Sequence, residues 1–130
     1  MRKRIKRWLR AKVFFQSVAL ITTSLVIYFS LKPPKEATPW IFFFIRGDLL
    51  LHFFCYWGMF IIYLTAFFKT SHSIIKAALT SFLLGTILEL LQLIPIFNRQ
   101  FDIQDIVANA LGITLGIALI YYTKMDSLLD

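Results

Sequence analysis

Polar and apolar positions divide the chain into four long apolar runs with short polar breaks between them. The runs cover residues 13–31, 49–68, 74–97 and 103–122. Each is close to the roughly 20 residues a helix needs to cross a ~30 Å hydrocarbon core. The first run contains Gln16 and several hydroxyl residues but no charge. Pro33, Pro34 and Pro39 follow it, and proline lacks the amide hydrogen that would continue a helix. The aromatic stretch 40–45 is too short to span, and is expected as an interfacial turn or as the first turns of the second helix. The short connectors 69–73 and 98–102 make the last three helices antiparallel neighbours. The pattern predicts an all-α, small polytopic membrane protein: one domain over residues 1–130, with four transmembrane helices.

Composition strengthens this picture. Apolar residues make up 58% of the chain, charged residues 16%, and mean hydropathy is +0.72. A soluble domain usually carries about 25% charged residues. Half of the Lys and Arg residues behind the net charge of +7 stand near the N-terminus: Arg2, Lys3, Arg4, Lys6, Arg7, Arg10 and Lys12. A basic stretch directly before an apolar run is the usual cytoplasmic flank of a first transmembrane helix. No basic face interleaved with aromatics follows it, so no nucleic-acid partner is expected. The start also resembles a signal peptide. Its apolar run, however, ends in Leu31-Lys32-Pro33-Pro34 with no small-residue cleavage site, and it is expected to stay as an anchor. Cys55 is the only cysteine, which excludes an intramolecular disulfide and a cysteine-based zinc site.

Loop charges set the expected orientation. With the N-terminus inside, the seven N-terminal cations join Lys69, Lys76 and Lys124 on the inner side, against Lys32, Lys35, Arg46 and Arg99 outside. The positive-inside rule therefore predicts N-in, C-in.

Polar residues are concentrated at the predicted outer ends of helices two to four. Asp48, His52 and Tyr56 fall at i, i+4 and i+8, one stripe of a helix. At 1.5 Å per residue, His52 and Tyr56 lie ~6 and ~12 Å deeper than Asp48. Glu89 and Gln92 share a face of the third helix. Counting back from Phe97 puts Glu89 ~12 Å from the outer end, near mid-membrane, where an ionised carboxylate needs a partner or a wet cavity. Asp102, Asp105 and Asn109 line one face of the fourth helix, and Ala108, Gly112 and Gly116 continue as a small-residue ridge suited to close packing against helix two or three.

These motifs carry a family resemblance. Asp48-x-x-x-His52-x-x-x-Tyr56-x-Gly58 resembles the first motif of the VanZ-like family, and Glu89-x-x-Gln92 is similar to its second. The run Arg99-x-x-Asp102-x-x-Asp105-x-x-x-Asn109-x-x-Gly112-x-x-x-Gly116 is similar to its third. Together they cover residues 48–116. The resemblance implies a multi-pass protein of the bacterial cytoplasmic membrane, related to an accessory factor for glycopeptide (teicoplanin) resistance and acting in the cell envelope. A lysine often follows the first aspartate in that family; here Leu49 does, with Arg46 nearby.

Several readings of these residues stay open. Arg99 can clamp a lipid phosphate or carboxylate, or pair with Asp102 or Asp105 and fix the loop. Asp102 also suits the N-cap of the fourth helix, and Asp105 its positive end. His52 is expected to hydrogen-bond to Glu89 or Asp105 inside a polar network, with Tyr56 as a packed aromatic lending its hydroxyl to it; Asp48 and Asp102 would add to these the oxygen ligands of a bound cation. A divalent cation is the alternative there; with no HExxH and no second histidine on the outer side, neither metal nor cofactor is expected. His72 lies away from the cluster. Three function classes follow. The first is a binding protein holding the head group of a membrane lipid or cell-wall precursor, with a contribution to antibiotic tolerance. The second is a hydrolase or transferase acting on a lipid-linked phosphate, with Glu89 or His52 as acid or base. The third is a proton-linked carrier titrating at Glu89. Binding is the favoured class, and whether the protein is an enzyme is left open, as is its oligomeric state.

Overall fold

The structure is a computed structural model that describes residues 2–9, 11–34 and 40–129. Arg10, Lys35 and Pro39, which entered the expectations above, lie outside the described residues. Four helices are long and apolar enough to cross a membrane: α2 (Lys12–Leu31), α3 (Gly47–Ala66), α4 (Ser73–Leu91) and α5 (Ile103–Tyr122). Ahead of them, part of the basic flank forms a short helix, α1 (Arg2–Leu9). Successive spans reverse direction. The C-termini of α2 and α4 therefore meet the N-termini of α3 and α5 at one end of the bundle.

Helix ends follow the chain's local chemistry. Lys32 is extended before Pro33, and its amide caps the Tyr28 carbonyl, closing α2. Lys69 and His72 adopt left-handed backbone angles in the tight α3–α4 connection. Asp102 caps α5 as expected: its carboxylate accepts from the Gln104 amide at 2.8 Å.

One boundary corrects the sequence reading, and one segment decides between the two alternatives it left open. The third span does not run to residue 97; α4 ends at Leu91, and Pro95–Phe97 forms a separate 3₁₀ turn. Pro95 lacks an amide hydrogen and holds Ile94 extended, so the apolar run outlasts the helix. The 40–45 stretch does not form the first turns of the second helix. It builds a small hairpin, β1 (Ile41–Phe42) and β2 (Ile45–Arg46), antiparallel with Ile41 opposite Arg46. Phe43 and Phe44 both take positive φ, the geometry of a two-residue hairpin turn, and Phe44 is fully exposed. Gly47 lets the chain fold back under Trp40, because a Cβ there would overlap the indole.

Packing is that of a protein in lipid. Leu20, Leu51, Leu79, Leu111 and Ile103 face outward, while the most buried residues include Phe60, Met59, Ala77, Ser81, Glu89 and Asn109. Lipid tails solvate leucine as well as a protein core does, so small and polar side chains take the contacts between helices. The α3–α5 pair forms the most extensive helix interface. Gly112 packs on the Phe53 carbonyl and the Trp57 backbone, and Gly116 on the Phe60 ring, so the small-residue ridge faces α3. Helix α2 is peripheral, with Ala19 its one buried residue. Polar links hold it to the bundle, among them the 2.6 Å contact between the Thr23 and Tyr63 hydroxyls.

Candidate functional site

The shared end of the four spans holds nearly all the polar residues singled out in the sequence. A cavity of about 510 Å³ opens there, lined by Arg46, Asp48, His52, Gln92, Asn98, Arg99, Asp102 and Asp105 among others. Tyr56 lies deeper, buried, its ring parallel to that of His52 with centroids 6.5 Å apart. Glu89 and Asn109, each 1% exposed, sit behind the cavity wall.

The cations divide the work differently from the sequence expectation. Arg99 pairs with neither Asp102 nor Asp105. It donates from Nε to the Lys32 carbonyl at 2.8 Å and from Nη2 to the Phe29 carbonyl at 3.1 Å, so it ties the connector to the unsatisfied carbonyls ending α2. Arg46 binds the carboxylates instead. It donates to Asp102 Oδ2 at 2.7 Å, to Gln104 Oε1 at 3.0 Å and to both oxygens of Asp48. This latches the start of α3 to the start of α5. Hydrogen bonds from Arg46 and then from the Gln104 amide hold the Asp102 carboxyl below the usual carboxylate range. Asp48 and Asp102, in turn, push the Arg46 guanidinium above its ordinary value. Arg99 has no acidic partner among the described residues.

Beneath the latch lies a second polar group. His52 Nδ1 is 3.0 Å from Asn109 Oδ1, and His52 Nε2 is 3.4 Å from Asp105 Oδ2. His52 thus hydrogen-bonds Asn109, and in place of the expected hydrogen bond to Glu89 or Asp105 there is a 3.4 Å approach to Asp105. Glu89 belongs to the last turn of α4, because the helix stops at Leu91. Its carboxylate joins His52 and Asp105 in a cluster whose ligand-type atoms all lie within 4.8 Å of one another. Gln92 turns away from Glu89 and donates to the Ser30 carbonyl of α2 at 3.2 Å.

The sequence reading missed two features. Gly85 is one: a Cβ there would stand 2.7 Å from Asn109 Nδ2 and 2.8 Å from the Tyr56 ring, so its bareness lets α4 close on the cluster. A lone glycine inside an apolar helix was the available signal. The other is an apolar groove of about 300 Å³ between α2 and α3, lined by Leu25, Val26, Phe29, Leu51, Cys55 and Tyr56, with Ser30 and Thr22 at its side. His52, Gln92 and Arg99 line both the groove and the polar cavity, so the two meet at Arg99.

The VanZ/LLP1 family model matches residues 4–125. No curated protein and no solved structure matches the chain. The match takes in all four spans and every residue of the polar end, and the chain belongs to the VanZ/LLP1 family.

Proposed function

We propose that the polar end binds a membrane lipid with an anionic head group, the phosphate of a phospholipid or of a lipid-linked cell-wall precursor. The observation that carries this is the junction of a polar cavity and an apolar groove at Arg99, a cation with no acidic partner among the described residues. An amphipathic ligand needs both compartments in contiguity: the groove takes a chain and the cavity a head group. The Arg99 guanidinium spends two donors on α2 carbonyls and keeps others for phosphate oxygens. On this reading the protein sits in a bacterial cytoplasmic membrane with both termini inside and the cavity toward the cell wall. A precursor head group held there would link it to glycopeptide tolerance.

Native mass spectrometry of the purified chain with a polyprenyl phosphate and with a phospholipid tests the reading. Charge-assisted hydrogen bonds are worth about 1.5–3 kcal/mol, so Arg99→Gln should weaken binding about tenfold or more. Thr23→Val cuts another side-chain tie of α2, outside both compartments, but leaves the cation, and should bind nearly as wild type. Equal loss in both variants would mean that docking of α2, not charge, governs the result. A turnover assay on the same lipids with wild type and Glu89→Gln separates binding from catalysis; conversion by wild type that Glu89→Gln abolishes would replace this reading with an enzyme.

A further inference from the structure

His52, Glu89 and Asp105 bring one imidazole and two carboxylates together from α3, α4 and α5. Their hydrogen bonding is incomplete in a specific way. An amide oxygen only accepts, so His52 Nδ1 carries the hydrogen and donates to Asn109 Oδ1. With the ring neutral, its Nε2 lone pair faces Asp105 Oδ2, 3.4 Å away. A lone pair facing a carboxylate repels it unless something positive lies between them. Glu89 Oε2 and Asp105 Oδ1 are buried and have no hydrogen-bond partner among the described residues. Glu89 is 1% exposed and Asp105 8%. Orphaned buried oxygens of this kind call for a missing partner.

We propose that His52 Nε2 and the carboxylates of Glu89 and Asp105 bind a divalent transition cation such as Zn²⁺. Zinc bonds of ~2.0–2.2 Å to nitrogen and oxygen place tetrahedral neighbours about 3.4 Å apart. That is the His52–Asp105 separation. Three atoms all within 4.8 Å of one another share a point no more than about 2.8 Å from each, so carboxylate shifts of about 0.6 Å complete the bonds. One imidazole with two carboxylates suits zinc or manganese better than calcium or magnesium, which favour oxygen alone. Asn109 acts as the outer partner that fixes the ring's tautomer and aim, as metal-bound histidines generally require. Because His52 and Asp105 also line the polar cavity, the remaining coordination positions face it and are open to water or an anion.

The site is tested without any lipid, so its outcome is independent of the lipid reading. The full chain, purified in detergent and stripped with chelator, is dialysed against Zn²⁺ and counted by elemental mass spectrometry. It should retain about one equivalent, and Co²⁺ should give visible absorption bands of a nitrogen–oxygen site. Glu89→Gln and Asp105→Asn should each lower affinity at least tenfold, whereas His72→Ala, at the other end of the bundle, should not change it. Variants are compared only where circular dichroism matches wild type. Wild type that retains no zinc and gives no cobalt bands would overturn the proposal. Binding that survives Glu89→Gln and Asp105→Asn combined but falls with His72→Ala would overturn it equally.

Discussion

Replacing glycine by alanine at two positions should change stability in opposite directions. A Cβ at Gly112 would run into the Phe53 carbonyl oxygen and crowd the Trp57 amide, both main-chain atoms of α3. Backbone cannot rotate away as a side chain can, so α3 and α5 must part. Overpacking of this kind costs about 1–3 kcal/mol, and contact with main chain places Gly112→Ala near the upper figure. Alanine's better helix propensity returns about 1 kcal/mol, leaving a net loss of about 2 kcal/mol. A Cβ at Gly58, within α3 itself, meets nothing within 4 Å. There only the propensity gain acts, and Gly58→Ala should stabilise by about 0.5–1 kcal/mol. Reversible unfolding in mixed detergent micelles, followed by circular dichroism, measures both. Because His52 rides on α3 and Asp105 and Asn109 on α5, Gly112→Ala should also weaken zinc retention. Equal effects at the two glycines, or a stabilised Gly112→Ala, would refute the packing of α5 on α3 described here.

Further outcomes follow from the same geometry. Gly85→Ala should push on Asn109 and Tyr56 and reduce zinc affinity about tenfold with a smaller effect on unfolding, measured by metal titration and thermal melting. Asp102 has a depressed folded-state pKa, so its contribution to stability is complete above the unfolded carboxylate value of about 4 and is lost as pH falls through the lower folded value. Melting curves from pH 7 down to 3 should therefore show an acid loss in wild type that is smaller in Asp102→Asn. In a Cys55→Ala background, Asn98→Cys should react with an impermeant thiol reagent on intact cells; labelling only after lysis would reverse the orientation.

Much of the fold was legible because hydropathy and proline placement dominate in a membrane protein. The four spans, the Asp102 cap and the grouping of polar residues at one end all follow from position along the chain. The end of α4 was misplaced because Leu93, Ile94, Ile96 and Phe97 remain apolar beyond Leu91, where the approach to Pro95 ends the helix. The hairpin carried no turn signal, since two phenylalanines stand where glycine or asparagine usually does. Arg99 stands beside Asp102 in sequence, which suggested a local pair. In space the connector swings toward α2, and Arg46, far away in sequence, reaches Asp102 instead. The groove needs α2 and α3 seen together, and no spacing within one helix reveals it.

In the proposed binding mode, lipid enters the α2–α3 groove with its head group at Arg99. A photo-crosslinking amino acid at Leu25, inside the groove, is compared in ³²P-labelled cells with one at Leu20, an exposed α2 position that does not line it. Leu25 should give a phosphorus-labelled adduct that Arg99→Gln largely abolishes, while capture of surrounding lipid at Leu20 is unchanged. Capture at Leu25 that ignores Arg99 and matches Leu20 would contradict it.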